Sequence, residues 1–249
     1  MPFGDYTAFS SHFLEADKGY YTRIAFGKST DSGDRDGNIV EEWSIAKVSE
    51  FYQRHKDEII KEVLGIKDWK SQTPPVISAI KVGGVRQSSL FRTGIAFDSV
   101  SRPIEVKELE YFNLSETGIE LNLKVTSGTY IRKIAIDLGE KLNLPMYLEK
   151  LVRTSIGSHN LSIALSLEEI LFPDAKFFDL EEMISYPTLS LNEKETKAVR
   201  HGGYIKNNLE GNFLLRDNDG NLLAWCTTEE KKSHLPYKYM KVFYNPDEN

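Results

Sequence analysis

Residues 119–142 read IELNLKVTSGTYIRKIAIDLGEKL, and the change of rhythm inside this stretch decides the fold class. From Ile119 to Thr126 apolar and polar side chains alternate, the period of a strand with one buried face. From Ile131 the period lengthens, and Ile131, Ile134, Ala135, Leu138 and Leu142 recur at helical spacing. Gly128 opens the transition, so a strand hands Tyr130 and Arg132 to the first turn of a helix. There backbone N–H groups point outward and anions are favoured.

The same reasoning extends in both directions. Ile104 to Phe112 alternates, and Tyr20 to Phe26 (YYTRIAF) is aromatic and β-branched, so each is predicted as a strand. A polar turn, Lys28 to Gly37, follows the second of these. Ser44 can cap a helix whose apolar stripe is Ile45, Val48, Phe51, Tyr52, Ile59 and Val63, a face that requires a sheet to cover it. Pro74-Pro75 forbids a helix at that point, and Gly83-Gly84 fits the turn of a short hairpin. Beyond Ile170, Pro173 and Pro187 bracket an acidic stretch, which places a domain boundary near Tyr186 and gives domains 1–185 and 186–249. The second reads as a capped helix, Asn192 to Arg200, then a hairpin turning at Asp217-Asn218-Asp219-Gly220. The fold class is α+β: a sheet with flanking helices plus a small β-barrel-like domain.

Composition narrows the function. With 249 residues, 40% of them hydrophobic and 27% charged, the chain holds one large domain, or one medium and one small. It has no apolar run of about 18 residues and no basic, apolar leader at Met1, so a soluble, cytoplasmic protein is expected. The single Cys226 can form no internal disulfide and reads as a small buried hydrophobe. A net charge of −6 argues against coating nucleic acid through bulk positive charge. RNA contact would need local patches: Arg132, Lys133, Lys150 and Arg153, or Lys197, Arg200, His201 and Lys206. The acid-rich turn from Asp31 to Gly37 resembles the start of a calcium loop, but position 12 of that register is Trp43, not the bidentate Glu required. The five histidines are scattered, so no metal site is supported, and glycine-rich nucleotide loops and G-x-S-x-G are absent.

Four blocks in order resemble the TruB family of tRNA pseudouridine synthases. DKGYYTRIAFGKSTDSGDRDG (Asp17 to Gly37) is similar to the family's D-K-x-Y strand and T-D-[ST]-x-D-x-x-G. QTPPVISAIKVGGVR (Gln72 to Arg86) is similar to Q-x-P-P-x-x-S-A-[LI]-K-x-x-G. SGTYIRKIAIDLGEKL (Ser127 to Leu142), the most specific, looks like G-T-Y-[IV]-R-x-[IL]-x-x-D-L-G, and LVRTSIG (Leu151 to Gly157) resembles L-R-R-T-x-x-G. More loosely, LSLNEKETKAVRHGGYIKN and LLRDNDGNLLAWC resemble a PUA-like RNA-binding domain. The resemblance implies a mixed pseudouridine-synthase sheet, tRNA as partner through its T-arm, a monomer, and neither cofactor nor metal.

By matching position, the resemblance implies Tyr20 as the ring under a base flipped out of the T-loop. Arg132 would partner the nucleophilic carboxylate, with Tyr130, Lys81 and Leu151 shaping the pocket and Arg153 binding a phosphate. Two departures stand out. The family's nucleophile lies in an L-D-P loop, and MPFGDYTA (Met1 to Ala8) looks like the stretch that follows it, so the loop and neighbouring N-terminal strands are expected upstream of residue 1. The polypeptide as written is then expected to be inactive, either as part of a longer uridine-55 synthase or as a silent tRNA-binding protein, with Arg132 left unpaired. Also, Gln87-Ser88-Ser89 stands where the family has a tyrosine in Y-E-x-A-R.

Overall fold

The computed structural model describes residues 2–75, 77–78, 80–93, 99–229 and 231–243, with the backbone alone for Lys81, Val82, Arg86, Ser88, Phe91 and Arg92. The chain divides into two compact units, residues 13–164 and residues 2–12 with 165–249. The contact boundary thus falls at Ala164, some twenty residues before Tyr186, and the first dozen residues associate with the C-terminal unit.

Helix α1 (Ser10–Glu15) spans the passage between the units. In the larger unit follow β1 (Lys18–Phe26), β2 (Lys28–Thr30), β3 (Ile39–Glu42) and α2 (Ile45–Gly65). Then come β4 (Ser71–Gln72), β5 (Lys81–Val82), β6 (Val85–Arg86), α3 (Gln87–Arg92), β7 (Arg102–Pro103), β8 (Val106–Ser115) and β9 (Gly118–Val125). The unit ends with α4 (Ile131–Leu142), β10 (Met146–Ile156) and β11 (His159–Asn160). Five strands form one antiparallel sheet in the order β11-β10-β1-β9-β8. One face carries the core: Ile24 and Phe26 of β1, Ile119, Leu121 and Leu123 of β9 and Leu148 of β10 pack with Val48, Ile59 and Val63 of α2 and Ile134, Ala135 and Leu138 of α4. Polar and charged side chains dominate the other face, where Arg23 bridges Glu120 and Glu149.

Local chemistry explains the helices. Ser44 accepts a hydrogen bond from the Lys47 N–H, the expected cap. Ile45, assigned to the buried stripe, is instead 89% exposed, because the first turn of α2 precedes the first buried contact at Val48. α4 ends at Asn143 in the left-handed conformation, a stop that asparagine tolerates. The Gly83-Gly84 turn joins β5 to β6 as expected, both glycines at positive φ.

The smaller unit contains α5 (Leu180–Met183), β12 (Thr188–Ser190), α6 (Glu193–Arg200), β13 (Asn212–Arg216), β14 (Leu222–Thr227) and β15 (Lys238–Val242). Its strands form a single four-stranded sheet, β12-β13-β14-β15, in which β12 runs parallel to β13. Among the described residues this is one open sheet. Asn192 and Glu195 close a reciprocal capping box on α6. Val199, Phe213, Leu215, Ala224, Cys226 and Tyr237 make the core.

Candidate active site

The first turn of α4 is held from two directions. Tyr130 occupies the N-cap position in an extended conformation and offers no side-chain cap of its own. Its N–H donates to Gln72 Oε1 at 2.9 Å and its carbonyl accepts from Gln72 Nε2 at 3.1 Å. Two residues on, the Arg132 guanidinium spans three acceptors. Nη1 donates to Asp34 Oδ2 at 2.9 Å and to the Ser32 carbonyl at 3.3 Å, while Nη2 donates to the Ile77 carbonyl at 3.1 Å. About a quarter of each charged side chain is exposed.

Arg132 is therefore paired, which corrects the expectation of an unpaired cation. The carboxylate comes from the acid-rich turn that follows β2. That turn is closed by its own polar groups: Asp31 accepts from the Asn38 backbone and side chain, both at 2.9 Å, which holds its carboxyl below the usual range, the Asn38 side chain acting most strongly. Ser32 Oγ donates to Asp34 Oδ1 at 2.7 Å. The turn is then stitched to β10, where the Arg35 N–H donates to the Leu148 carbonyl and the Leu148 N–H to the Gly33 carbonyl. Asp34 thus reaches Arg132 from a turn fixed to the sheet edge.

Further along the same strand lie Leu151 and Arg153, paired in register with Thr22 and Tyr20 of β1. Leu151 is 44% exposed, so it is not part of the core. The half-buried Tyr20 ring packs against the core cluster, and the Arg153 guanidinium carbon stands 5.6 Å from its centroid, a cation–π distance. Tyr20, Leu151 and Arg153 consequently share the core-side face of the sheet with Ile24 and Leu148. Lys81 lies in β5, and its side chain is outside the described residues. Gln87 of α3 is buried, accepting from Ser78 Oγ at 2.7 Å and donating to Ser99 Oγ at 3.1 Å, so it ties the two ends of the 78–99 segment together. A cavity of about 500 Å³ lies towards the other end of α4, lined by Thr30, Val40, Ile136, Glu140 and Met146 among others. Neither Tyr20, Tyr130, Arg132, Leu151 nor Arg153 lines it.

Sequence reasoning missed Asp34 and Gln72 as neighbours of the site. Both stood within quoted motifs, T-D-[ST]-x-D and Q-x-P-P, yet nothing in local spacing says that they meet residues 98 and 58 positions away.

Comparison with known proteins bears on this geometry. The family model described as TruB family pseudouridylate synthase, N-terminal domain, matches residues 1–131. The tRNA pseudouridine synthase B of Leptospira interrogans serogroup Icterohaemorrhagiae serovar Lai (strain 56601) is 40% identical over 248 residues, covering 98% of this chain and 80% of that protein. The protein of the same name from Caldanaerobacter subterraneus subsp. tengcongensis is 30% identical over 238 residues, covering 92% of this chain and 80% of its own length. Among solved structures, a chain of a Cbf5–Nop10–Gar1 complex superposes with a TM-score of 0.55 at 16% identity, over 96% of this chain and 70% of that one, a likeness of fold. On these matches and the mixed α+β fold, the chain belongs to the TruB family of pseudouridylate synthases.

Proposed function

We propose that the protein acts on uridine 55 in the T-loop of tRNA, isomerising it to pseudouridine after the base has been flipped out of its stack. The observation that carries this reading is the fixed guanidinium of Arg132 at the start of α4, in a chain of this family. The reaction breaks the bond between C1′ and N1 of uridine and forms one between C1′ and C5, with no net oxidation and no hydrolysis. A uracil still stacked in its loop presents neither atom, so extrusion into a pocket comes first, at a cost of a few kcal/mol. Tyr20 then offers a ring for the extruded base, at the expense of its contact with Arg153, which turns to a phosphate. Leu151 supplies apolar surface beside them, with Tyr130 and Lys81 completing the wall.

Arg132 has five N–H donors, of which three meet partners among the described residues. The Nε–H and one Nη2–H remain for a second carboxylate. A cation there keeps an attacking acid ionised. The tripeptide L-D-P does not occur in these 249 residues. The 249-residue polypeptide on its own therefore binds a T-arm stem-loop without turning it over. The alternative reading is a tRNA-binding protein that never turns its substrate over. Residues 186–249 contribute RNA affinity as a PUA-like domain, a role supported by Lys197 and Arg200 on α6 and Lys206 just beyond it.

Release of tritium from [5-³H]uridine at position 55 tests this. The 249-residue polypeptide is expected to bind the stem-loop and release none, and to gain release when a segment bearing L-D-P is fused ahead of Met1. A fusion that binds but stays inert favours the silent reading, whereas release by the unfused polypeptide upholds uridine-55 isomerisation but overturns the placing of the nucleophile in an L-D-P segment, and makes Asp34 the carboxylate to test in that role.

A further inference from the structure

Gln72 is a buried side chain, 4% exposed, to which the mechanism above gives no part. It ends the two-residue strand β4, which among the described residues pairs with β7 at Arg102 and Pro103. Its amide is not spent on that ladder. It forms a closed ring of two hydrogen bonds with the backbone N–H and carbonyl of Tyr130.

The position of that ring matters. The first N–H groups of a helix lack partners within it, and the N-cap residue commonly satisfies some of them with its own short polar side chain. Tyr130 cannot. Its carbonyl is nonetheless the first acceptor of α4, taking the N–H groups of Lys133 and Ile134 as well as the Gln72 amide. Fixing the Tyr130 backbone on both its polar atoms fixes where the helix begins and how its first turn is rotated. Arg132 lies in that turn. The segment that starts at Gln72 also supplies the Ile77 carbonyl to the Arg132 guanidinium. One stretch of chain therefore holds both the backbone and the tip of the same short segment.

We propose that Gln72 is a positioning residue for the reaction, acting through the Tyr130 backbone to aim the free donors of Arg132 at the attacking carboxylate beside the flipped base. The proposal rests on the function assigned to Arg132 above. A neutral carboxylic acid has the donor and acceptor arrangement of the glutamine amide, whereas a carboxylate accepts only. Gln72→Glu should therefore fail when ionised and recover when protonated, and Gln72→Leu should fail at every pH.

The test follows two readouts in the 249-residue protein and both variants, near pH 5 and near pH 7.5, spanning the upward shift that burial gives a glutamate. One is the Nε–H resonance of Arg132 in arginine-labelled protein. The other is affinity for a T-arm stem-loop. Gln72→Leu is expected to shift and broaden the Arg132 signal and to weaken binding by about tenfold at both pH values. Gln72→Glu is expected to match it near pH 7.5 and to approach the unsubstituted protein near pH 5. A folded Gln72→Leu protein with the Arg132 signal and affinity unchanged, differing only in melting temperature, would overturn the proposal. Should Gln72→Leu not fold, Gln72→Glu decides alone: absence of recovery on protonation refutes the idea. If the unsubstituted protein binds no stem-loop, the functional reading fails, while the Arg132 resonance still reports whether Gln72 positions it.

Discussion

Replacing Arg132 separates what its three contacts do for stability from what they do for function. Hydrogen bonds to charged groups contribute about 1.5–3 kcal/mol each when well buried. Here about a quarter of each partner's side chain is open to water, so roughly 0.5–1 kcal/mol per contact is the better figure. Three contacts give about 1.5–3 kcal/mol. Against this, a cation in the first turn of α4 opposes the helix dipole, at a cost of about 0.3–1 kcal/mol that disappears with the charge. Arg132→Met should thus lower unfolding stability by only about 1–2 kcal/mol. Arg132→Lys keeps the charge and one contact point, so its loss should be of the same size. Binding should behave differently, because a lysine nitrogen cannot hold Asp34, the Ser32 carbonyl and the Ile77 carbonyl together and leave donors over. Urea unfolding supplies the stabilities, and fluorescence of a base analogue at position 55 of a T-arm stem-loop reports extrusion. Both variants are expected to fold and to give little extrusion signal. Normal extrusion by Arg132→Lys would show that the guanidinium fork is not what organises the site. A loss above about 4 kcal/mol in Arg132→Met would show a buried structural ion pair instead.

Two further expectations concern the frame around the site. Gly118 sits at φ +151°, where an added Cβ would lie 2.3 Å from the Ile24 carbonyl oxygen, so Gly118→Ala should cost about 2–4 kcal/mol in urea unfolding through backbone strain and overpacking. Burial pushes the Cys226 thiol up from its ordinary value of 9.0 to about 12, so its contribution to stability is full below pH 9 and is lost as pH rises from there towards the folded value. Ellman's reagent near pH 8 should accordingly label Cys226 only at the rate of unfolding, and stability should fall between pH 9 and about 12 more steeply than in Cys226→Ala.

How far the sequence could be read depended on whether a side chain answers to the core or to the site. α4 was legible to the residue, Ile131 to Leu142, because Ile131, Ile134, Ala135, Leu138 and Leu142 all turn inward, and β9 was legible because Ile119, Leu121, Leu123 and Val125 do. β10 was not read as a strand, although it lies between β1 and β11. Its first half buries Met146 and Leu148, but from Lys150 to Arg153 its alternation fails, with Leu151 and Arg153 exposed on the very face where Leu148 is buried. A register shift opposite Arg23 and Ile24 skips Glu149 and brings the odd-numbered Leu151 and Arg153 onto the face of Leu148, so the period of two is broken within the strand. The Asp34 turn fails to declare itself for a different reason. Several of its polar groups are satisfied within seven residues, by Asn38, Ser32 and Thr30, while Asp34 Oδ2 and the Ser32 carbonyl reach out to an arginine 98 and 100 positions away. Local spacing can specify the turn but not the partner. The meeting is supported by the two hydrogen bonds that pin the turn to Leu148 and by the amide of Gln72 that holds the Tyr130 backbone two residues before Arg132, which are tertiary facts with no one-dimensional trace.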